Sequence, residues 1–259
     1  MSELDADITE ANITEDRLLD GRVILRQPRD GFRAGIDSVL LAAAVPAIDG
    51  VMVLEPGAGV GAAALCLAAR VPGCRIAGLE LQPELVRLGR ENIQLNGAET
   101  VVQMTEGDLT QPPAHLTPGS FDHVMMNPPF LAAGRVHAPT DPSRAASHVE
   151  GAAGLADWLD FALKMLRPKG SVTLIHRADR LDEALAALTG VTGEIVVFPL
   201  WPGHGSSGQA GKPAKRVIIR ARKDIRAPTR LAPGLVLHQV DGSYTTEADA
   251  ILRGARLEI

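Results

Sequence analysis

Asn127, Pro128, Pro129 and Phe130 form a tetrapeptide whose residue types suit the presentation of a flat amino group to an electrophile. The two prolines fix the backbone and remove two amide donors, which leaves a corner rich in hydrogen-bond acceptors. The Asn127 side-chain oxygen and the Pro128 carbonyl can both accept from a single –NH2 group. Those bonds aim the nitrogen lone pair and oppose its delocalisation into a ring or carbonyl. Phe130 can stack on the flat group that carries the amine. The matching chemistry is an in-line displacement, governed by positioning and by electrostatics around a departing positive charge. No nucleophilic serine or cysteine is required. A rigid turn at a strand end would read the same way, so the meaning of the tetrapeptide depends on its surroundings.

Three further loops precede it. Glu55-Pro56-Gly57-Ala58-Gly59-Val60-Gly61 leads from an apolar run into an Ala-rich helical pattern. Its glycines permit a tight turn and close approach of the backbone to a ligand. The next strand pattern ends in Gly78-Leu79-Glu80, where a carboxylate can accept from both hydroxyls of a ribose, with Leu81 beside it. The third leads into Glu106-Gly107-Asp108-Leu109, with Asp108 placed to accept from an adenine amino group and Leu109 to lie against the base. A dinucleotide fold shares the first two features, but its fingerprint is G-x-G-x-x-G and this loop is G-x-G-x-G. Glu55 would repel a diphosphate and suits a cationic ligand bearing an amino group. The ligand expected is therefore S-adenosyl-L-methionine rather than NAD.

The elements that must position these loops alternate along the chain. Apolar or β-branched runs at 51–54, 75–79, 101–104, 123–126, 171–175, 195–198 and 216–220 read as strands, and helical patterns occupy 61–70, 83–96, 155–166 and 180–188. In the third of these, Leu155, Trp158, Leu159, Ala162, Met165 and Leu166 share one face. The expected fold is α/β, a doubly wound seven-stranded mostly parallel sheet, with its last two strands joined as an antiparallel C-terminal hairpin. Before it, residues 22–27 read as a short strand and 38–45 as a helix capped by Asp37. The expected organisation is a disordered tail at 1–13, an N-terminal segment at 14–50 covering the cofactor, a main domain at 51–230 and a strand–turn–helix extension at 231–259.

Composition narrows the function classes. With net charge −5 over 259 residues, the chain is not coated in nucleic-acid-binding charge. Residues 212–230 nevertheless carry Lys212, Lys215, Arg216, Arg220, Arg222, Lys223, Arg226 and Arg230 against one acid, Asp224. That run reads either as a solvated strand face or as a patch that contacts phosphates. Cys66 and Cys74 are too few for a disulfide framework or a zinc site, and no metal is expected. The acidic N-terminus lacks the apolar core of a signal peptide, and no apolar run approaches the ~20 residues of a membrane span. A soluble, cytoplasmic protein without a membrane partner is expected.

Taken together, residues 20–225 resemble class I S-adenosylmethionine-dependent methyltransferases of the amino-methylating Asn-Pro-Pro-Phe branch, whose fold is Rossmann-like. Within that branch, the stretch from Gln27 to Leu41 is similar to the segment preceding the cofactor domain in the tRNA(valine) adenine-N6 methyltransferase family. The resemblance implies that Arg33, Gly35 and Asp37 close over the methionine end of the cofactor. It also implies that the 131–150 loop, with Arg135, His137, Arg144 and His148, helps to form the target pocket, and that tRNA is the partner. The chain departs from the family's pattern in having Glu55 for aspartate, Pro56 for an apolar residue and Phe130 for tyrosine. Two acceptors remain open on the residues: an adenine N6, with Lys215, Arg216 and Arg222 gripping RNA, or the carboxamide of a protein glutamine. A cofactor-binding protein without catalysis is a third reading, against which the intact Asn127 and Glu80 weigh.

Overall fold

A computed structural model describes residues 12–30, 33–129, 153–203 and 211–259. Strands β1 (Ile13–Leu18) and β2 (Val23–Pro28) pair antiparallel as a hairpin. Sequence reading gave only the second of these, because β1 is the polar run ITEDRL and has no buried face to betray it. The helix that follows, α1, spans Ile36–Ala44 with Gly35 as its N-cap and no side-chain cap. Asp37 is thus a first-turn residue rather than the expected cap, where its charge complements the helix dipole.

The remaining elements are β3 (Met52–Pro56), α2 (Ala62–Arg70), β4 (Arg75–Glu80), α3 (Pro83–Leu95), β5 (Val102–Glu106), β6 (Phe121–Met126), α4 (Leu155–Met165), β7 (Leu166–Arg177), α5 (Leu181–Leu188), β8 (Thr192–Trp201), β9 (Arg216–Lys223), the two-residue strands β10 (Arg230–Leu231) and β11 (Leu235–Val236), and α6 (Thr246–Leu252). The main sheet runs β10-β8-β9-β7-β6-β3-β4-β5, with β11 also on β8. Only β9 is antiparallel to its neighbours, β7 and β8. All seven expected strands are present, and β10 and β11 extend the outer edge of β8 in parallel. Two apolar clusters cover the two faces: one gathers α1, α2 and α3, the other α4 and α5. Strand order reverses between β3 and β6, and at such a switch point the loops beyond the strand ends part to leave a crevice.

The hairpin is fastened to this domain by an unusual pairing. Asn92 Oδ1 accepts from the Arg26 amide at 2.8 Å while its Nδ2 donates to the Arg26 carbonyl at 2.8 Å and the Val60 carbonyl at 3.0 Å. Asn96 repeats the arrangement on Ile24, at 2.9 and 2.7 Å. Four helical residues rise ~6 Å and two strand residues ~6.7 Å, so carboxamides one turn apart meet alternate strand residues. Helix α3 therefore serves β2 as a neighbouring strand would. The C-terminal extension closes the same side: α6 packs on α1, and the Leu257 amide donates to the Ala43 carbonyl at 3.2 Å.

Candidate active site

The loop after β3 sits at the switch point. Gly57, Gly59 and Gly61 have φ of +66°, +56° and +83°, a region closed to most side chains, so this turn requires glycine at each. A β-carbon on Gly59 would meet nothing within 4 Å, so the loop offers bare backbone to the crevice there. At Gly57 it would lie 2.5 Å from the outer edge of the Trp158 indole, which packs onto the loop from α4. Helical periodicity had assigned Trp158 to the core face of α4. It belongs to that core, but it also walls the loop, a contact no local pattern could reveal.

Two carboxylates bracket the turn. Glu80 is 7 % exposed, and its Oε2 accepts from the Gly59 amide and its Oε1 from the Gln82 amide, both at 2.9 Å. Burial raises its pKa, opposed by the amides of Gln82, Gly59 and Leu81. Glu55 is 4 % exposed, and burial pushes its pKa up to about 8 against a hydrogen bond from the Ala64 amide, with the Glu80 charge adding to the rise. Glu55 Oε2 has no hydrogen-bond partner among the described residues. A buried acceptor left unpaired costs about 1–3 kcal/mol, so a ligand donor there would be favoured. Two neighbouring buried carboxylates select for cations and against phosphate.

Beyond β6, Asn127 and Pro129 are half-buried and Pro128 is buried. Asn127 Oδ1 is enclosed without a hydrogen-bond partner among the described residues. The register of β3 on β6 pairs Val53 with His123 and Leu54 with Val124, and continued outward it brings Gly57 level with Asn127. The glycine turn and the acceptor corner are therefore side by side. Phe130 lies outside the described residues, as do Arg135, His137, Arg144 and His148.

The other expected contacts divide. Leu81 is 62 % exposed at the end of β4, an apolar surface available to a ligand. Asp108 Oδ1 accepts from the Thr110 amide at 2.8 Å, so one oxygen closes its own turn; Leu109 beside it is half-buried. Arg33 is engaged with the hairpin: it donates to Asp16 at 2.6 Å, to Thr14 at 2.6 Å and to the Pro28 carbonyl at 2.9 Å. That anchors the segment before α1 rather than offering a free guanidinium to a ligand. Gly35 caps α1, and Asp37 pairs with Arg216 at 3.1 Å, joining α1 to the start of β9.

The basic run is not one surface. Arg222 pairs with Glu194 at 3.0 Å, and Lys223 donates to the carbonyls of Leu163 and Leu166 at the C-terminal end of α4. Because β9 runs antiparallel, Lys215 and Arg216 stand at the same sheet end as Asn127 while Arg222 stands at the other, ~20 Å away along six strand residues. Of the three residues expected to grip RNA, Lys215 and Arg216 therefore share the Asn127 end of the sheet and Arg222 does not.

The family model for the methyltransferase small domain matches residues 33–179. The chain belongs to that family. Among curated relatives, the tRNA1(Val) (adenine(37)-N6)-methyltransferase of Aeromonas hydrophila is 31% identical over 219 residues, covering 84% of this chain and 87% of that one. The Aeromonas salmonicida protein of the same name is 30% identical over 224 residues, covering 84% and 87%. Among solved structures, an Agrobacterium tumefaciens protein described as a predicted O-methyltransferase matches with a TM-score of 0.69 at 23% identity, over 85% of this chain and 98% of that one. The M. jannaschii TYW2 solved in complex with AdoMet has a TM-score of 0.55 at 16% identity, over 83% of this chain and 87% of that one.

The residues of this methyltransferase fit S-adenosylmethionine, which supplies a methyl group on a sulfonium centre. The unpaired Glu55 oxygen suits a ligand amino group, the Glu80 carboxylate retains lone pairs that ribose hydroxyls could use, and Leu81 offers apolar surface at the end of β4. Glu80, and Glu55 once ionised, would favour a positively charged group between them. Asn127 Oδ1 and the Pro128 carbonyl could accept the hydrogens of an entering amine, and the two prolines stiffen the backbone that carries them.

Proposed function

We propose that this methyltransferase transfers a methyl group from S-adenosylmethionine to the N6 of an adenine in tRNA, working in the cytoplasm. Asn127 Oδ1 carries the reading: an enclosed acceptor lacking a partner, level with the glycine turn, needs a donor from the substrate. An exocyclic adenine amine supplies two such hydrogens on a flat ring. The curated relatives named for adenine-N6 methylation at tRNA position 37 support that acceptor over others. In this reading Asn127, Pro128, Pro129 and Phe130 orient the amine. Glu55, Gly57, Gly59, Gly61, Glu80, Leu81, Asp108 and Leu109 hold the cofactor, Asn127 reaching it from the other side. Arg33, Gly35 and Asp37 fix the segment above it.

The decisive experiment incubates purified enzyme and S-adenosylmethionine with unmodified tRNA and analyses the nucleosides by mass spectrometry. N6-methyladenosine is expected, and Asn127→Ala should abolish it while leaving S-adenosylhomocysteine binding within about twofold. Methylation of a protein glutamine with tRNA untouched would replace the proposal by the carboxamide reading. Equal loss of turnover and cofactor binding in Asn127→Ala would make that residue structural.

A further inference from the structure

Aromatic residues are scarce in this chain: five Phe, two Trp and one Tyr. Among the described ones, Phe121, Phe161, Phe198 and Trp158 are buried, and only Trp201 and Tyr244 are left half-exposed. Those two come together at one corner. Trp201 ends β8 and pairs with Val236 of β11, its carbonyl accepting from the Leu237 amide at 2.8 Å. The next residue, His238, bridges to Tyr244 and stacks on its ring with centroids 4.9 Å apart and planes 28° from parallel. His238 Nδ1 also lies 2.8 Å from the carbonyl of Pro202, directly after Trp201, and the Trp201 indole N–H donates to the Pro233 carbonyl at 3.0 Å. The rings are held in place rather than left to move.

Position and charge say what such a corner would meet. Strand β8 runs parallel to β6, so Trp201 and Asn127 lie at the same end of the sheet. Three strand spacings separate them, ~15 Å. The antiparallel register that pairs Leu200 with Arg216 brings exposed Lys215 opposite Trp201, and exposed Lys212 lies just upstream. The acids on this side are engaged: Asp37 pairs with Arg216, Asp179 with Arg177, and Asp241 accepts from the amide and hydroxyl of Ser243 at 2.9 and 2.6 Å. Fixed, part-exposed rings beside ammonium groups are what unstacked nucleotides bind, with bases on the aromatic faces and phosphates on the cations.

We propose that Trp201, the His238–Tyr244 stack and Lys215 form a docking surface for single-stranded nucleotides flanking the target base. The inference rests on the RNA reading above and assigns a role to the C-terminal extension that the catalytic site does not need.

The test uses the full chain and a short fluorescein-labelled RNA hairpin with adenine in its loop. Binding is followed by anisotropy, and methyl transfer to the same hairpin by rate. Tyr244→Leu and Lys215→Glu should each weaken RNA binding about tenfold or more, the loss of one stacked base or one phosphate contact. Both should raise KM for RNA and leave kcat and S-adenosylhomocysteine affinity unchanged. RNA should also quench the fluorescence of Trp201 in a Trp158→Phe background. Lys215 is exposed, so its variant folds even if Tyr244→Leu does not. Wild-type binding matched by both variants, with no quenching, would overturn the docking surface and leave the RNA reading standing. A wild-type enzyme that binds no RNA overturns both, and loss in the variants of binding to a protein substrate alone would make the corner a protein contact.

Discussion

The amide of Gly59 donates to Glu80 Oε2 across 2.9 Å, tying the crest of the glycine turn to the end of the adjacent strand. The carboxylate thus shapes the loop and faces the same crevice. Glu80→Ala should therefore weaken S-adenosylhomocysteine binding by more than the loss of ribose contacts, at about 1.5–3 kcal/mol for each charge-assisted bond. Hydrogen exchange at the Gly59 amide should rise in the ligand-free protein. Unchanged exchange with weakened binding would mean that Glu80 acts on ligand alone.

Trp158 and Gly57 make a second linked pair. In Gly57→Ala the new β-carbon would come within 2.5 Å of the indole, at a φ of +66°. We expect a loss of about 1–3 kcal/mol in stability from overpacking and backbone strain. Adding Trp158→Leu should recover part of it, since the smaller side chain yields the space. A thermal-denaturation double-mutant cycle reads the coupling. A zero interaction energy would confine the effect to the backbone.

The raised pKa of Glu55 gives two opposite pH trends. Burial lifts it to about 8 from 4.5, so the folded chain binds a proton that the unfolded chain has lost. The ligand-free protein's stability from this group is complete below 4.5 and declines as pH rises towards about 8. A cationic ligand needs the carboxylate, so its binding should strengthen over the same range and release a proton wherever the pH is below about 8. Calorimetry at pH 7 in buffers of differing ionisation enthalpy detects that proton. Glu55→Gln should abolish it, and release that persists in this variant must come from another group.

Asn92 fills three hydrogen bonds with one side chain. Asn92→Ala strands the Arg26 amide and two carbonyls, and should cost about 3 kcal/mol by urea denaturation. Asn92→Asp should cost as much, because a carboxylate cannot donate to Arg26 and Val60. Little change in either variant would show that water replaces the carboxamide.

Much of this was legible beforehand where periodicity or turn chemistry is strong. Helices separate most of the seven strands, and each early strand leads into its motif: Glu55 to Gly61, Glu80, Asp108, Asn127. What escaped is long-range. Strand β1 hides because Glu15, Asp16 and Arg17 leave it no apolar rhythm, and its partner Arg33 lies 17 residues beyond Asp16. The run from Lys212 to Arg230 reads as one basic patch in sequence, but an antiparallel strand carries Lys215 and Arg222 to opposite ends of the sheet. Nothing local could show that Asp37 would meet Arg216, 179 residues away.

The carboxamide pairing of α3 with β2 has a consequence for tolerated sequence change. Surface hairpins ordinarily accept insertions and deletions. Here Asn92 and Asn96 must face Arg26 and Ile24 together, so one residue added or lost between 24 and 26 or between 92 and 96 would misalign one pair and turn the other away. Length variation between such enzymes should therefore spare both segments, making two short stretches rigid in length even where their other side chains drift.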